Sequence, residues 1–127
     1  MRVSQHPSGR RDPAAYLPLT PAMFHVMAAL NEGDQHGYAI IKDVASRTGG
    51  DVMLSTGTLY GIVKRLLADG MIAESMRRPA AADDDERRRY YRLTEFGRAV
   101  ATAEAERLEG MVAVARGVSL LKGPLRP

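Results

Sequence analysis

Residues 54–67 read LSTGTLYGIVKRLL, and no other segment says as much about the architecture. Ser55 is a good N-cap, and the apolar residues after it recur at steps of three and four, which predicts a helix with one buried face. Asp69-Gly70 should end this helix, because glycine readily adopts the left-handed conformation that follows many helices. The expected buried face consists of Leu59, Ile62, Val63, Leu66 and Leu67.

Two further helices are expected before this one. Thr20 is a suitable N-cap and Pro21 fits the first helical position, so the first helix should begin there and stop near residues 31–33. The second helix fits residues 36–48 and ends at a pair of glycines.

Two strands and a last helix are expected after the third helix. Residues 71–76 and 88–93 are the predicted strands, and residues 77–87 form the polar tip of a β-hairpin between them. Thr94 should cap a helix over residues 95–116. The predicted fold is mainly α with a small β-hairpin: a winged helix-turn-helix domain plus a C-terminal helix. In this plan the third helix enters the DNA major groove.

This order divides the chain into four parts. Residues 1–15 are rich in Pro, Ser and Arg and are expected to be a flexible basic arm, followed by the winged helix-turn-helix domain at 16–93. Residues 94–116 are the predicted dimerisation helix. Residues 117–127, with two Gly and two Pro, are expected to be a flexible tail.

Composition excludes several classes of protein. The 127 residues suit one domain, and the absence of cysteine excludes disulfides and thiolate metal sites. No apolar run is long enough for a transmembrane helix, and the first residues lack the apolar segment of a signal peptide. The expectation is a soluble, cytoplasmic protein without a membrane partner.

The charge distribution is more informative than the formal net charge of +3. Positive charge is concentrated in residues 55–66, residues 77–93 and the two chain ends. A clustered basic surface is typical of a protein that binds a polyanion. A mixed, solvated surface is the simpler interpretation of charge alone.

The exposed face of the third helix has the composition of a DNA-reading surface. Its hydroxyl side chains can hydrogen-bond phosphate or base edges. Gly57 would let a phosphate approach the helix N-terminus, where free N–H groups and the helix dipole favour an anion. An ordinary capped helix with a solvated face is the alternative. The candidate contacts are Ser55, Thr56, Gly57, Thr58, Tyr60, Lys64 and Arg65.

The second strand of the hairpin adds three candidates. Alternation along the strand directs Tyr91 and Leu93 toward the core. The outward side chains could contact phosphate or enter a minor groove, or the arginines among them could only balance nearby acids. These candidates are Arg88, Tyr90 and Arg92.

The acidic run at residues 83–86 suits neither DNA nor a metal. Four carboxylates would repel phosphate, so the tip is expected to point away from DNA or to pair with flanking arginines. Adjacent acids diverge and no histidine lies nearby, so no metal or cofactor is expected. Without a cysteine nucleophile, a base beside Ser55 or a phosphate-binding glycine loop, the chain is not expected to be an enzyme.

The last helix carries a coiled-coil-like seam. Apolar residues recur there at alternating steps of four and three, although several of them are alanines. Gly110 weakens this helix by about 1 kcal/mol relative to alanine. The predicted dimerisation surface consists of Ala101, Ala105, Leu108, Met111, Val112 and Ala115.

Three segments within residues 17–116 together resemble a known family. They read LTPAMFHVMAALNEGDQHGYAIIKDV, LSTGTLYGIVKRLLADGMIAE and ERRRYYRLTEFGR. Each is weak alone, but their order and spacing resemble the PadR family of winged-helix transcriptional regulators. The residues that carry the resemblance are His36-Gly37-Tyr38, Leu54-Ser55, Gly57-Thr58-Leu59-Tyr60, Arg65-Leu66, Gly70, Tyr90-Tyr91-Arg92-Leu93-Thr94 and Gly97.

The resemblance implies a role for each element. The helix with Ser55, Thr58, Tyr60 and Lys64 would be the recognition helix, and Tyr38 would lie near the DNA backbone. The arginine-rich wing strand would contact phosphate, and the final helix would form a homodimer, as in the short subgroup with a single C-terminal helix. Family members often repress detoxification, efflux or phenolic-acid stress genes, and some release DNA when a ligand binds near the dimer interface.

Two departures from the family pattern concern the site. Thr56 stands where the family often has proline, and the final helix has no tryptophan for a pocket of stacked indoles. The expected function is sequence-specific binding of double-stranded DNA by a homodimeric repressor at a pseudo-palindromic operator, with a small-molecule effector left open. The alternative is a winged-helix module that binds proteins without specific DNA binding.

Overall fold

A computed structural model describes residues 11–76 and 89–122. These ranges hold four α-helices, three short strands and one 3-10 helix, so the predicted class, mainly α with a small sheet, is confirmed. The strands total fewer residues than the last helix alone. In chain order the elements are η1 (Pro13–Tyr16), α1 (Pro21–Asn31), β1 (Gln35–His36), α2 (Gly37–Arg47), α3 (Thr56–Ala68), β2 (Ile72–Glu74), β3 (Tyr90–Leu93) and α4 (Glu95–Gly117).

Each α-helix begins at a side-chain cap. Thr20, Ser55 and Thr94 were expected to be caps from their residue type, and each hydroxyl oxygen accepts a bond from the N–H three residues on, at 3.0–3.1 Å. At α2 the cap is His36, whose Nδ1 accepts from the Ala39 N–H at 3.2 Å. Local side chains therefore fix where all four helices start, each cap contributing about 1 kcal/mol.

The sheet has three antiparallel strands in the order β1-β3-β2. In β3, Tyr91 pairs with Gln35 of β1 and Leu93 pairs with Ile72 of β2. The sequence predicts β2 and β3 but not β1, because two residues cannot show an alternating pattern. β1 joins the start of α2 directly to the hairpin.

The core lies between the helices and the inner face of the sheet. Tyr91 and Leu93 point into it, as the alternation along β3 predicts. Every α-helix contributes at least one side chain that is completely buried, so the winged domain and the first half of α4 share one core. These side chains include Val26 and Met27 of α1, Ile40 of α2, Leu59 and Leu66 of α3, and Val100 of α4.

The first turn of α4 is fastened to the end of α3. A Cβ at Gly97 would overlap the backbone carbonyl of Met71, so this position requires glycine. The same carbonyl accepts a hydrogen bond from the Thr94 N–H at 3.0 Å. The Thr94 hydroxyl also donates to the Gly70 carbonyl at 2.7 Å. The last helix therefore has a fixed direction relative to α3.

The segment before α1 also packs on α4. Pro13–Tyr16 form η1 across the predicted boundary at residue 15, and the Tyr16 ring meets Phe96 edge to face at 5.3 Å between centroids. The Arg11 guanidinium lies 4.1 Å from the centroid of the Phe96 ring and donates to the Tyr16 hydroxyl at 3.0 Å.

Three predicted features extend beyond the described residues. The rest of the basic arm lies in residues 1–10, the wing tip with its acidic run and Arg88 in residues 77–88, and the end of the tail in residues 123–127. The division of the chain into arm, domain, dimerisation helix and tail therefore stays a prediction.

Candidate nucleic-acid interface

α3 has one face in the core and one in solvent. Leu59, Val63 and Leu66 are buried as predicted. Ile62 is only half-buried, and Leu67 is 36% exposed. Leu67 lies about 80° round the helix from Leu59, which turns it away from the core. The residues of this segment predicted to contact DNA are all exposed: Ser55, Thr56, Gly57, Thr58, Tyr60, Lys64 and Arg65.

Two of the three hydroxyls at the N-terminus of α3 are bonded to each other. Ser55 Oγ accepts from the Thr58 N–H at 3.1 Å and donates its proton to Thr58 Oγ1 at 3.0 Å. Ser55 therefore acts as the cap, and Thr58 keeps its own hydroxyl proton to donate outward. The N–H groups of Thr56 and Gly57 precede the first intrahelical bond and open toward the helix end, where an anion is favoured.

Tyr60 lies against the start of α2. A Cβ at Gly37 would overlap the Tyr60 hydroxyl, so glycine is what lets the ring lie there. The pKa of Tyr91 is raised, first by its burial and then by the charges of Tyr60 and Glu74. Tyr60 thus holds α2 and α3 in register while 45% of its surface stays exposed.

Tyr38 and Lys42 extend the exposed surface onto α2. Tyr38 is 61% exposed and directly follows Gly37, which Tyr60 touches. Lys42 lies one turn later, with Nζ 5.4 Å from the centroid of the Tyr38 ring. A cation held over an exposed ring in this way gains about 0.5–1 kcal/mol. The start of α2 therefore presents a hydroxyl and a positive charge beside α3.

The two basic residues of α3 differ in their surroundings. Arg65 Nε lies 3.3 Å from Asp69 Oδ2, so an acid one turn later partly neutralises it. Lys64 is exposed and forms no ion pair with any residue in 11–76 or 89–122. Lys64 is therefore the stronger candidate for a phosphate contact.

The wing strand presents one of its predicted contacts clearly. Arg92 is exposed on β3. Tyr90 is half-buried and not fully outward as predicted, because β1 lies beside it and the His36 ring meets it edge-on at 5.2 Å. Arg89, on the other face, pairs with Glu74 at 2.9 Å. Tyr90 thus supports the start of α2, and Arg92 is the free cation of this strand within the described part of the chain.

The profile of the "Transcriptional regulator PadR-like family" matches residues 26–103. The chain belongs to this family. Among solved structures, a transcriptional regulator from Clostridium thermocellum is 28% identical, with a TM-score of 0.63 and coverage of 76% of this chain and 88% of that one. BpsR of Bordetella bronchiseptica, whose DNA binding is regulated by 6-hydroxynicotinic acid, is 27% identical, with a TM-score of 0.57 and coverage of 86% and 69%.

A PadR family regulator from Clostridium difficile shares the fold at 23% identity, with a TM-score of 0.63 and coverage of 76% of this chain and 95% of that one. A comparison with curated proteins gives no significant match. The family and these structures confirm the predicted winged helix-turn-helix fold and identify a DNA-binding transcriptional regulator.

In this PadR-like regulator, the second half of α4 carries an apolar surface that the described chain leaves open. Leu108, Met111 and Val112 are 38%, 57% and 37% exposed. Ala105 is exposed, whereas Ala101 and Ala115 are half-buried. The seam predicted for dimerisation is therefore accessible over most of its length, and its pairing with a second copy stays a prediction.

An ion pair on α4 with a buried glutamate was not predicted from the sequence. The Glu104 side chain is only 2% exposed and accepts two bonds of 2.8 Å from the Arg107 guanidinium. These bonds hold the pKa of Glu104 below its ordinary value, and the backbone N–H of Leu19 lowers it further. The spacing along the helix could have indicated that Glu104 lies on the buried face. The buried residues Gly97 and Val100 precede Glu104 and Arg107 at steps of three and four.

An open groove of about 280 Å³ separates α1 from α4. Phe24 and Arg98 line it on opposite helices, and Arg98 donates a hydrogen bond to the Asn31 side chain. Ala101 and Ala105 form part of its wall. The groove therefore adjoins the predicted dimerisation surface.

Two further searches concern the described residues only. Across 11–76 and 89–122, His, Asp and Glu side chains nowhere gather in a group of three or more that could hold a metal ion. The helices in these ranges are too short or too polar to cross a lipid bilayer.

Proposed function

We propose that the protein is a homodimer that binds double-stranded DNA at a pseudo-palindromic operator and represses transcription there. The outward face of α3 carries this proposal. It combines open backbone N–H groups at Thr56 and Gly57, a donating hydroxyl on Thr58, and a Lys64 that has no ion pair within the described chain. These are the groups with which proteins bind phosphates and base edges.

The proposed contacts are of two kinds. The N-terminus of α3, Tyr38, Lys64 and Arg92 would bind phosphate, which gives most of the affinity and makes it depend on salt. The Thr58 hydroxyl would donate to a base edge in the major groove and so contribute to sequence recognition. Tyr90 would act indirectly, since it packs on His36 at the start of α2.

Dimerisation would proceed through the exposed apolar surface of α4. Leu108, Met111 and Val112 lie within two turns on this surface, and a helix face of this kind is usually covered by another protein surface. A two-fold axis between two α4 helices would place two α3 helices about 34 Å apart, which is one turn of B-DNA.

A small-molecule effector belongs to the same proposal. The groove between α1 and α4 supports it, because the Phe24 ring and the Arg98 guanidinium suit a small aromatic acid. The Bordetella regulator supplies a probe of this class, 6-hydroxynicotinic acid. An increase in melting temperature with this compound, abolished in Arg98→Met, is expected if the groove is the effector site.

The experiment that tests the proposal starts from a random DNA pool. The purified full chain selects duplexes, and fluorescence anisotropy then compares a selected duplex with a random one of equal length at several salt concentrations. Specific binding should exceed random binding by about a thousandfold or more, with a steep salt slope. Equal, weak binding to both would instead support the alternative, a winged-helix module that binds an acidic protein surface.

Two further measurements complete the test. Sedimentation of the free protein and of its complex should give a dimer in both cases. Expression of a reporter gene placed behind the selected sequence should decrease when the protein is present in the cytoplasm. An increase in expression would show that the protein is an activator and not a repressor. No enzymatic reaction forms part of the proposal.

A further inference from the structure

Gly61 lies in the middle of α3 and its surface is exposed. Glycine at such a position weakens a helix by about 1 kcal/mol relative to alanine, because the unfolded chain loses more freedom when it becomes helical. Gly57, one turn earlier, is equally exposed. The helix at the centre of the candidate interface thus contains two glycines that disfavour its own formation.

The fold itself does not require glycine at position 61. Its φ is not positive, unlike those of Gly33, Gly49, Gly50 and Gly70. A Cβ at Gly61 would meet nothing within 4 Å in the described structure. Gly37 is different, because a Cβ there would overlap the Tyr60 hydroxyl. Any need for glycine at position 61 must therefore come from outside the described chain.

Gly61 lies on the line of α3 that faces directly away from the core. At about 100° per residue, it is about 160° round the helix from the buried Leu59 and Val63. Gly57, Gly61 and Arg65 follow one another at steps of four along this line, and Lys64 lies beside it. The most outward part of α3 is therefore bare backbone at Gly57 and Gly61, followed by two cations. Arg65 pairs with Asp69, whereas Lys64 has no ion pair in the described chain.

We propose that Gly61 is a specificity-determining position of the DNA interface, where the α3 backbone packs directly against base edges and leaves no room for a side chain. The inference rests on the proposed DNA binding by α3. Because Gly57 and Gly61 have no Cβ atoms, the axis of α3 can lie closer to the floor of the major groove. Thr58 and Lys64 then reach bases and phosphates that a bulkier helix would hold out of range.

The first test is a pair of alanine variants. Gly61→Ala is compared with Gly110→Ala, a helical glycine on α4 that is likewise exposed with nothing within 4 Å of a Cβ. Gly110 lies about 160° from Leu108 and Val112, away from the proposed dimer surface. Both variants should raise the melting temperature, since both remove a helical glycine.

Only Gly61→Ala should weaken specific binding. A methyl group forced into a close-packed contact lowers affinity about tenfold or more, whereas binding to a random duplex should change less than about twofold. The probe is a duplex that the wild-type chain has selected from a random pool. If Gly61→Ala binds that duplex as Gly110→Ala does, the close approach at Gly61 is refuted.

The second test is repeated selection with Gly61→Asn and Gly110→Asn. Gly61→Asn should change the base preference at one or two adjacent positions of each half-site, because its amide would meet base edges. Gly110→Asn should select the wild-type sequence. If Gly61→Asn selects the same bases as the wild-type chain, the inference about Gly61 is wrong, although the proposed DNA binding stands. If the wild-type chain itself selects no sequence, the proposed function has failed instead.

Discussion

Replacing Glu104 should destabilise the protein by an amount that depends on pH. Glu104→Gln keeps the shape and an acceptor for the Leu19 N–H but removes the charge that binds Arg107. Charge-assisted hydrogen bonds contribute about 1.5–3 kcal/mol, and the Arg107 side chain is 35% exposed, so water can replace part of the loss. The expected decrease in the free energy of unfolding at pH 7 is about 1.5 kcal/mol.

The sign of the pH dependence follows from the lowered pKa of Glu104. A carboxyl whose pKa is lower in the folded state stabilises the fold when it is ionised in both states. This stability is lost as the pH falls below the unfolded value, about 4.3, and through the folded one. The difference between wild type and Glu104→Gln should therefore be constant from pH 8 to 6 and should shrink toward pH 3.

Urea unfolding at a series of pH values measures this difference. The control is Arg47→Met, which removes an exposed pair with Asp43 and should change the stability by less than about 1 kcal/mol. A gap between wild type and Glu104→Gln that stays the same from pH 7 to pH 3 would show that packing, and not the charge of Glu104, is responsible. The reasoning would then be wrong.

Three other substitutions test separate parts of the structure. Gly97→Ala should destabilise by about 3 kcal/mol or more in thermal or urea unfolding, because its Cβ overlaps a backbone carbonyl that cannot move aside, whereas Gly110→Ala on the same helix should stabilise. Lys64→Ala should weaken binding to selected and random duplexes alike and reduce the salt slope by about one, and a change of base preference would mean that it reads a base. Val112→Glu should turn the dimer into a monomer in sedimentation, while Val114→Glu, on another side of α4, should leave it intact.

The helices could be predicted from the sequence because their signals are local. Thr20, Ser55 and Thr94 act as caps through atoms within three residues, so each can be recognised without knowledge of the fold. The faces of α3 follow from spacing for the same reason. Strand β1 could not be predicted, since its two residues become a strand only by pairing with Tyr90 and Tyr91, far along the chain.

The candidate site was less predictable than the fold. Ser55, Thr58 and Tyr60 are polar residues on the outward face of the predicted helix, so they were expected to be exposed. All three are exposed in the structure. The hydrogen bond between Ser55 and Thr58 is local, since it spans three residues. The packing of Tyr60 on Gly37 joins two helices and could not be predicted without the tertiary structure. The burial of Glu104 could not be predicted from its residue type either, because glutamate is rarely buried unless it has a partner.

The attachment of α4 decides how a ligand could affect DNA binding. Gly97, Val100 and Glu104 bind its first half to the winged domain, and no described residue of α4 after Arg107 is buried. The 23-residue helix is about 35 Å long and acts as one lever. In the proposed dimer, the crossing angle of two such levers sets the separation of the α3 helices.

A rotation of about 10° about the surface at Leu108–Val112 would move Gly97, about 20 Å along the helix, by about 3.5 Å, which is close to one base-pair step. A compound in the groove between α1 and α4 would lie at the attached half of the lever, beside Ala101 and Ala105. It would need to change only this angle, and not the structure of α3, to separate the two recognition helices from their half-sites. Release of DNA with no change in α3 itself is therefore the expected mode of any effector bound there.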